Sequence, residues 1–287
     1  MTNLALFEDD GSENPGKVVR DILLQLFPSQ NEKAEGSSDF LRNLDDALLA
    51  DGELVKAVYN SVINYAARRL IKMAQHKHRK YSGDDSYPGE SLDRIRSFLS
   101  HNTTIDATFQ NKLSILLYTA AKEHRNRSKA LKEQIFNRSK ELGARCYICG
   151  RDLSFDDSAG HLFAQVEHLW PVTMGGSNVE SNMKLACRAC NNVKASYVDA
   201  YDFHFEHFVS QLEEGDASFN KEFNWEFKVA SYLKAGCQCA ECGKSSDDGE
   251  LKFLRLNTSD CWHYLNIQPY CHEHYQLFSS IRGGQTE

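Results

Sequence analysis

Two cysteine pairs, Cys146-x2-Cys149 and Cys187-x2-Cys190, stand on either side of His168 and constrain this chain more than any other feature. Each pair offers two sulfurs from one tight turn, and the two turns together complete a four-coordinate set. Paired knuckles at this separation are a strong signature of tetrahedral zinc. The stretch between them must therefore fold back on itself into a small unit stapled at its ends. That stretch also carries an acid-histidine pair, Glu167-His168, then Asn182, and Asn191 directly follows the last cysteine. A base, an orienting amide and oxygen ligands thus sit inside one metal-clamped segment.

A second cluster follows in CQCAECGK and YCHEHY. The best tetrahedral set is Cys239-x2-Cys242 with Cys271-x2-His274, and the intervening LKFLRL reads as a strand, as in a zinc ribbon. Cys237 can replace Cys239, and Cys261 or His272 can compete for the remaining places. The acidic charge of this region argues for a bracing or protein-facing role. His204 and His207 in DFHFEHF are close enough to suggest a third ligand pair, but packing among Phe203, Phe205 and Phe208 explains them as well.

The nine cysteines sit at metal spacing, and the opening MTNLALFEDDGSENPG has neither a basic flank nor an apolar core. Reduced thiols in a cytoplasmic setting are the expectation. No apolar run is long enough to cross a bilayer, so no membrane association is expected. The net charge of -7 conceals a strong asymmetry. Residues 51–145 carry 18 basic and 10 acidic side chains, whereas residues 1–50 carry 4 and 10. A basic middle beside a metal site can steer a phosphate backbone, although a solvated helical surface would look similar.

The expected fold is mainly α with small zinc-bound α+β units. Residues 1–38 read as a flexible leader with a short helix from Val18 to Phe27, and residues 39–143 as a helical domain. Residues 144–200 carry the first metal unit, and 201–287 an accessory region with the second. Val55, Val58, Val62, Ala66, Leu70 and Met73 recur at helical spacing, which predicts a helix from Glu53 to about Gln75. A shorter helix is expected over Ser91–Leu99, and one long or two stacked helices over Ile105–Leu142, with Gly143 just past the end. HLFAQVEH reads as a strand. Phe223, Trp225, Phe227 and Val229 alternate with polar residues, a strand pattern.

The segment VEHLWPVTMGGSNVESNMKLACRACNNVK, with its flanking cysteines, resembles the HNH endonucleases, or beta-beta-alpha-metal nucleases, over about residues 146–195. The resemblance implies that His168 is the general base and that Glu167 binds a catalytic divalent ion, Mg2+ or Mn2+. Asn182 would hold the base through backbone hydrogen bonding, Asn191 would be a second ligand of the ion, and Cys146, Cys149, Cys187 and Cys190 would hold structural zinc. The acid is more usually aspartate and the last position often histidine. The chemistry agrees with these roles. Histidine titrates nearest neutrality, and a hard cation prefers oxygen donors. Lys194 and Arg188 lie close enough in sequence to reach phosphate. The expected function is metal-dependent phosphodiester hydrolysis, of DNA rather than RNA, in the manner of restriction or phage-defence effectors. A regulatory protein could act through the helical half. The alternative is a zinc module that binds nucleic acid or a protein without catalysis.

Overall fold

The computed structural model describes residues 14–28, 37–81, 87–123, 129–210, 219–221 and 224–283. The chain is mostly helical, with three two-stranded sheets among the described residues. It divides into two compact units that interleave along the sequence. Met1–Glu32, Val62–Lys129 and His168–Met183 form one, and Lys33–Ser61, Ala130–Glu167 and Lys184–Glu287 form the other.

The first unit is built from α1 (Pro15–Leu26), the greater part of α3 (Glu53–Lys80), α4 (Tyr87–Asn102) and α5 (Ala107–Glu123). α1 starts at Pro15, whose fixed φ suits the first helical position. α3 ends in Lys77-His78-Arg79-Lys80, cations that complement the negative end of the helix dipole. Its buried stripe is Ile63, Ala67, Leu70, Ile71 and Ala74, at three- and four-residue intervals. This is not the face expected from sequence. Val62 is 60% exposed, because adjacent apolar residues offered two competing stripes about 100° apart and packing chose the Ile63 one. α5 contributes Leu113, Leu117, Ala120 and Ala121, and α1 contributes Val19, Ile22 and Leu23. Each such Leu or Ile adds roughly 1.5–3 kcal/mol by leaving water.

The small residues of this unit let a loop approach the helices closely. The amide of Gly16 in α1 donates to the carbonyl of Gly175 at 3.0 Å. A Cβ on Gly16 would lie 1.6 Å from the Met174 carbonyl oxygen. Gly175 has φ +73°, a left-handed conformation, and a Cβ there would lie 2.5 Å from that of Ala120.

The second unit holds α2 (Ser37–Ala47), the first turns of α3, α6 (Lys129–Leu142), α7 (Arg188–Lys194), α8 (Trp225–Lys234) and α9 (His272–Gly283). β1 (Ala164–His168) and β2 (Met183–Cys187), whose ends reach into the first unit, pair with one another. β3 (Val209–Ser210) pairs antiparallel with β5 (Trp262–His263). β4 (Lys252–Arg255) pairs antiparallel with β6 (Ile267–Tyr270), Phe253 opposite Pro269 and Leu254 opposite Gln268. An aromatic core fills this unit. Phe219 stacks on Trp262 at 4.1 Å, and Phe208 on Phe227 at 5.1 Å.

One reading of the sequence changes here. The alternating Trp225, Phe227 and Val229 belong to a helix, α8, capped by the Asn224 side chain, which accepts from the Glu226 amide at 2.8 Å. Phe227 through Ser231 are all buried, so the polar-apolar contrast that marks a helix face is lost. Phe223 lies outside the described residues, as do residues 1–13 of the leader. The long Ile105–Leu142 stretch resolves into α5 and α6.

Gly175→Ala is expected to destabilise the protein more than Gly143→Ala. Both positions have positive φ, but nothing lies within 4 Å of a Cβ at Gly143. The αL strain alone costs roughly 1–2 kcal/mol, and overpacking at Gly175 adds about 1–3 kcal/mol. Urea unfolding midpoints of the two variants check this; equal losses would mean that the loop yields freely.

Candidate active site and metal centres

The first knuckle closes through tight backbone bonds. The amide of Gly150 donates to the Cys146 carbonyl at 2.8 Å, and that of Cys146 to the Arg151 carbonyl at 2.9 Å. Gly150 has φ +75°, and a Cβ there would strike the Gly249 carbonyl oxygen at 2.0 Å. The second knuckle is the start of α7, where the Cys190 amide donates to the Cys187 sulfur at 3.5 Å. Cys146, Cys149, Cys187 and Cys190 are all buried, are not disulfide-bonded, and lie with their sulfurs within 4.8 Å of one another. A tetrahedral zinc with Zn–S near 2.3 Å sets sulfurs about 3.8 Å apart, so the set fits that ion.

The thiols cannot ionise together without a cation. Hydrogen bonds from Cys146, Cys149 and Cys190 hold the Cys187 thiol far below the usual range, while burial pushes Cys146 up. Arg151 lies beside this set. Burial opposes its charge, but the Cys149, Cys187 and Cys190 sulfurs reinforce it, and its guanidinium packs over Trp225 at 4.3 Å. It supplies countercharge to thiolates, as outer-shell partners of metal sites do.

Cys239, Cys242, Cys271 and His274 form the second set, again within 4.8 Å. The Cys242 and Cys271 sulfurs are 3.9 Å apart, and His274 Nδ1 lies 3.7 Å from Cys239 Sγ and 3.3 Å from Cys271 Sγ. Burial works against ionisation of Cys239, yet the backbone amides of Cys242, Cys271 and Glu241 bring its thiol down to about 6. β4 and β6 hold the two halves in register. Cys237, Cys261 and His272 stand outside the set. Burial pushes the Cys237 thiol up to about 12. His204 stacks on His207 at 5.8 Å and meets Glu206 at 3.2 Å, with no third ligand cluster among the described residues.

His168 ends β1 and is 8% exposed. Its Nε2 lies 3.0 Å from Asn178 Oδ1. The Asn178 amide is oriented by its Nδ2, which reaches the Glu123 carbonyl at 3.5 Å. This contact fixes the orientation of the imidazole ring at the end of β1. Asn182 is 2% exposed and bonds the loop that follows His168. Its Oδ1 accepts from the Trp170 amide at 2.8 Å, and its Nδ2 donates to the carbonyls of Trp170 at 3.0 Å and Ser177 at 2.9 Å. Its own carbonyl accepts from Leu169 at 2.8 Å. The same loop is held by Asn14, which accepts from Ser177, and by Gln75, which donates to the Thr173 carbonyl at 3.0 Å.

Two alternate residues of β1 meet α7. Asn191 Nδ2 donates to Gln165 Oε1 at 2.6 Å, and Lys194 Nζ lies 2.9 Å from Glu167 Oε1. Glu167 is 8% exposed and Lys194 1%. Lys194 therefore faces a carboxylate inside the protein, not a phosphate. Arg188 pairs with Asp157 and lies over Phe163 at 4.8 Å. Glu167 is a buried carboxylate engaged by Lys194, and Asn191 has its Nδ2 engaged by Gln165; both carry oxygen donors of the type a hard cation prefers.

Strand, loop, strand and helix, closed by four cysteines with a histidine at the strand end, form a recognisable unit. Residues 146–206 match the HNH endonuclease family. Searches of curated proteins and of solved structures found no match to the chain. The HNH module spans both knuckles, His168, Asn182 and Asn191, and ends before the second cysteine set. Sequence reasoning missed Asn178, although it stands in the Gly-Gly-Ser-Asn loop, and misassigned Lys194.

Lys194→Met is expected to destabilise the protein by about 3–5 kcal/mol, because it leaves Glu167 buried without its partner. The double variant with Glu167→Gln should recover most of that loss in denaturant unfolding. No recovery would show that the pair is not the cause. The two sets predict two zinc ions per chain by elemental analysis. Cys187→Ser should remove one and unfold the HNH module, since binding in small zinc units is worth roughly 10–16 kcal/mol.

Proposed function

We propose that this chain is a metal-dependent endonuclease that hydrolyses phosphodiester bonds, with DNA as substrate. The observation that carries the reading is His168 at the end of β1 within the HNH match, its following loop fixed by Asn182. In this reading His168 takes a proton from water, while Asn178 holds Nε2 and so the orientation of the ring. The hydroxide attacks phosphorus, the bond to the leaving oxygen breaks, that oxygen takes a proton from a solvent water, and His168 returns its proton to solvent. Glu167 and the Asn191 amide oxygen would hold Mg2+ or Mn2+. Such an ion supplies charge neutralisation at the phosphate and the leaving oxygen. The cysteine sets would hold structural zinc. A place in restriction or phage defence, in the cytoplasm, accords with this activity and with free thiols. No described helix is long and apolar enough to cross a membrane.

One observation favours a second reading, a zinc module that binds nucleic acid without cutting. The carboxylate that would take the catalytic ion is already paired with Lys194.

Incubation with plasmid and with RNA, plus Mg2+ or Mn2+, separates the two. Cleavage that falls by about 10²–10⁴-fold in His168→Ala supports hydrolysis. Asn178→Ala should cost about 10–100-fold, as partners that orient a functional imidazole do. Equal behaviour of wild type and His168→Ala would end the hydrolytic reading.

A further inference from the structure

The HNH module itself is poorly charged for gripping a polyanion. Residues 146–200 carry 4 basic and 6 acidic side chains. The attraction has to come from elsewhere in the chain, and α3 stands out. From Leu54 to Lys80 it has no acidic residue and seven lysines and arginines.

The charge is also ordered. Tyr65, Arg69, Lys72, His76 and Arg79 recur at three- and four-residue steps and are all exposed, so they form one outward ridge. Tyr65 is 69% exposed. Arg69 to Arg79 spans about 15 Å along the axis, a length that covers roughly four base-pair steps of a duplex. The ammonium of Lys72 is held below its ordinary value by burial of its stem and by the like charges of Arg68 and Arg79. An ordinary solvated helix looks different, and α4 provides the comparison. There Arg94 pairs with Glu90 at 3.3 Å and Arg96 with Asp93 at 3.2 Å. Along α3 no acidic residue is interspersed among the cations after Glu53.

The inner face of α3 is tied to the module. Gln75, on the turn between Lys72 and Arg79, holds the Thr173 carbonyl in the loop after His168. The ridge and the glutamine that holds that loop are thus carried by one helix in the same unit.

We infer that the outward ridge of α3 is a contact for the phosphate backbone of duplex DNA, lying outside the HNH module. The inference rests on the nuclease reading for its substrate. Lysine and arginine along a helix neutralise phosphates without reading bases, so this contact contributes affinity and register, not sequence choice. The exposed tyrosine ring at one end adds a flat apolar surface against sugar.

The test uses the full chain with His168→Ala to prevent cutting, and a fluorescent 30-base-pair duplex. Anisotropy gives the dissociation constant over a series of salt concentrations. Arg69→Gln, Lys72→Gln and Arg79→Gln together should weaken binding at least tenfold near 0.1 M salt. They should also lower the slope of log K against log salt by about 2.7, from about 0.9 per phosphate contact. Arg94→Gln with Arg96→Gln should change neither quantity. Unchanged affinity and slope in the triple variant, with an unchanged thermal melt, would overturn the inference. Preference for an acidic peptide or anionic vesicles over the duplex would overturn it too. The two readings fail separately. Ridge-dependent binding by a protein that never cuts removes the nuclease reading alone. Cutting that survives loss of the ridge with unchanged binding removes the ridge alone.

Discussion

Four sulfurs gathered within 4.8 Å of one another close the ends of the HNH module, and β1, β2 and α7 depend on that closure. β1, β2 and α7 are too short to be stable alone, since a bare hairpin and a seven-residue helix have little to bury. Clamping both knuckles fixes where β1 starts and where α7 begins. Those two placements bring Gln165 against Asn191 and Glu167 against Lys194. The cluster is therefore the condition under which β1 and α7 meet side chain to side chain. Its negative charge is answered nearby by Arg151, which is held between the thiols and Trp225.

A second level of order lies in amides, not metal. Asn182 spends its whole side chain on the Trp170–Ser177 backbone, and Asn178 spends its own on His168 and Glu123. A buried amide satisfied as Asn182 is costs much to displace, because each lost partner strands a polar group away from water. The histidine is thus oriented by groups with no charge of their own. The carboxylate, by contrast, is governed by an ammonium. That ammonium ties the strand carboxylate to the last turn of α7.

Much of this was legible in the sequence where spacing alone fixes chemistry. The knuckles, the Glu-His pair and the second ligand set can be read from residue intervals, and both cysteine sets assemble as read. The helical periodicity of α3 was equally plain, but which stripe faces inward was not. Val62 and Ile63 are chemically alike, and only the surrounding helices decide between them. α8 was misread because Trp225, Phe227 and Val229 alternate by chance within a helix buried nearly all round. Lys194 was beyond reach for another reason. Its partner, Glu167, is distant in sequence, and nothing local to the lysine announces it.

The loop from Trp170 to Asn178 is fastened by Asn14, Gln75 and Glu123, three residues scattered across more than a hundred positions upstream. In consequence the nuclease-like segment is no freestanding cassette. Spliced into another protein, it would keep its sulfur clasp but lose the splints that hold its imidazole, and evolution could exchange it only together with the helices that learned its shape.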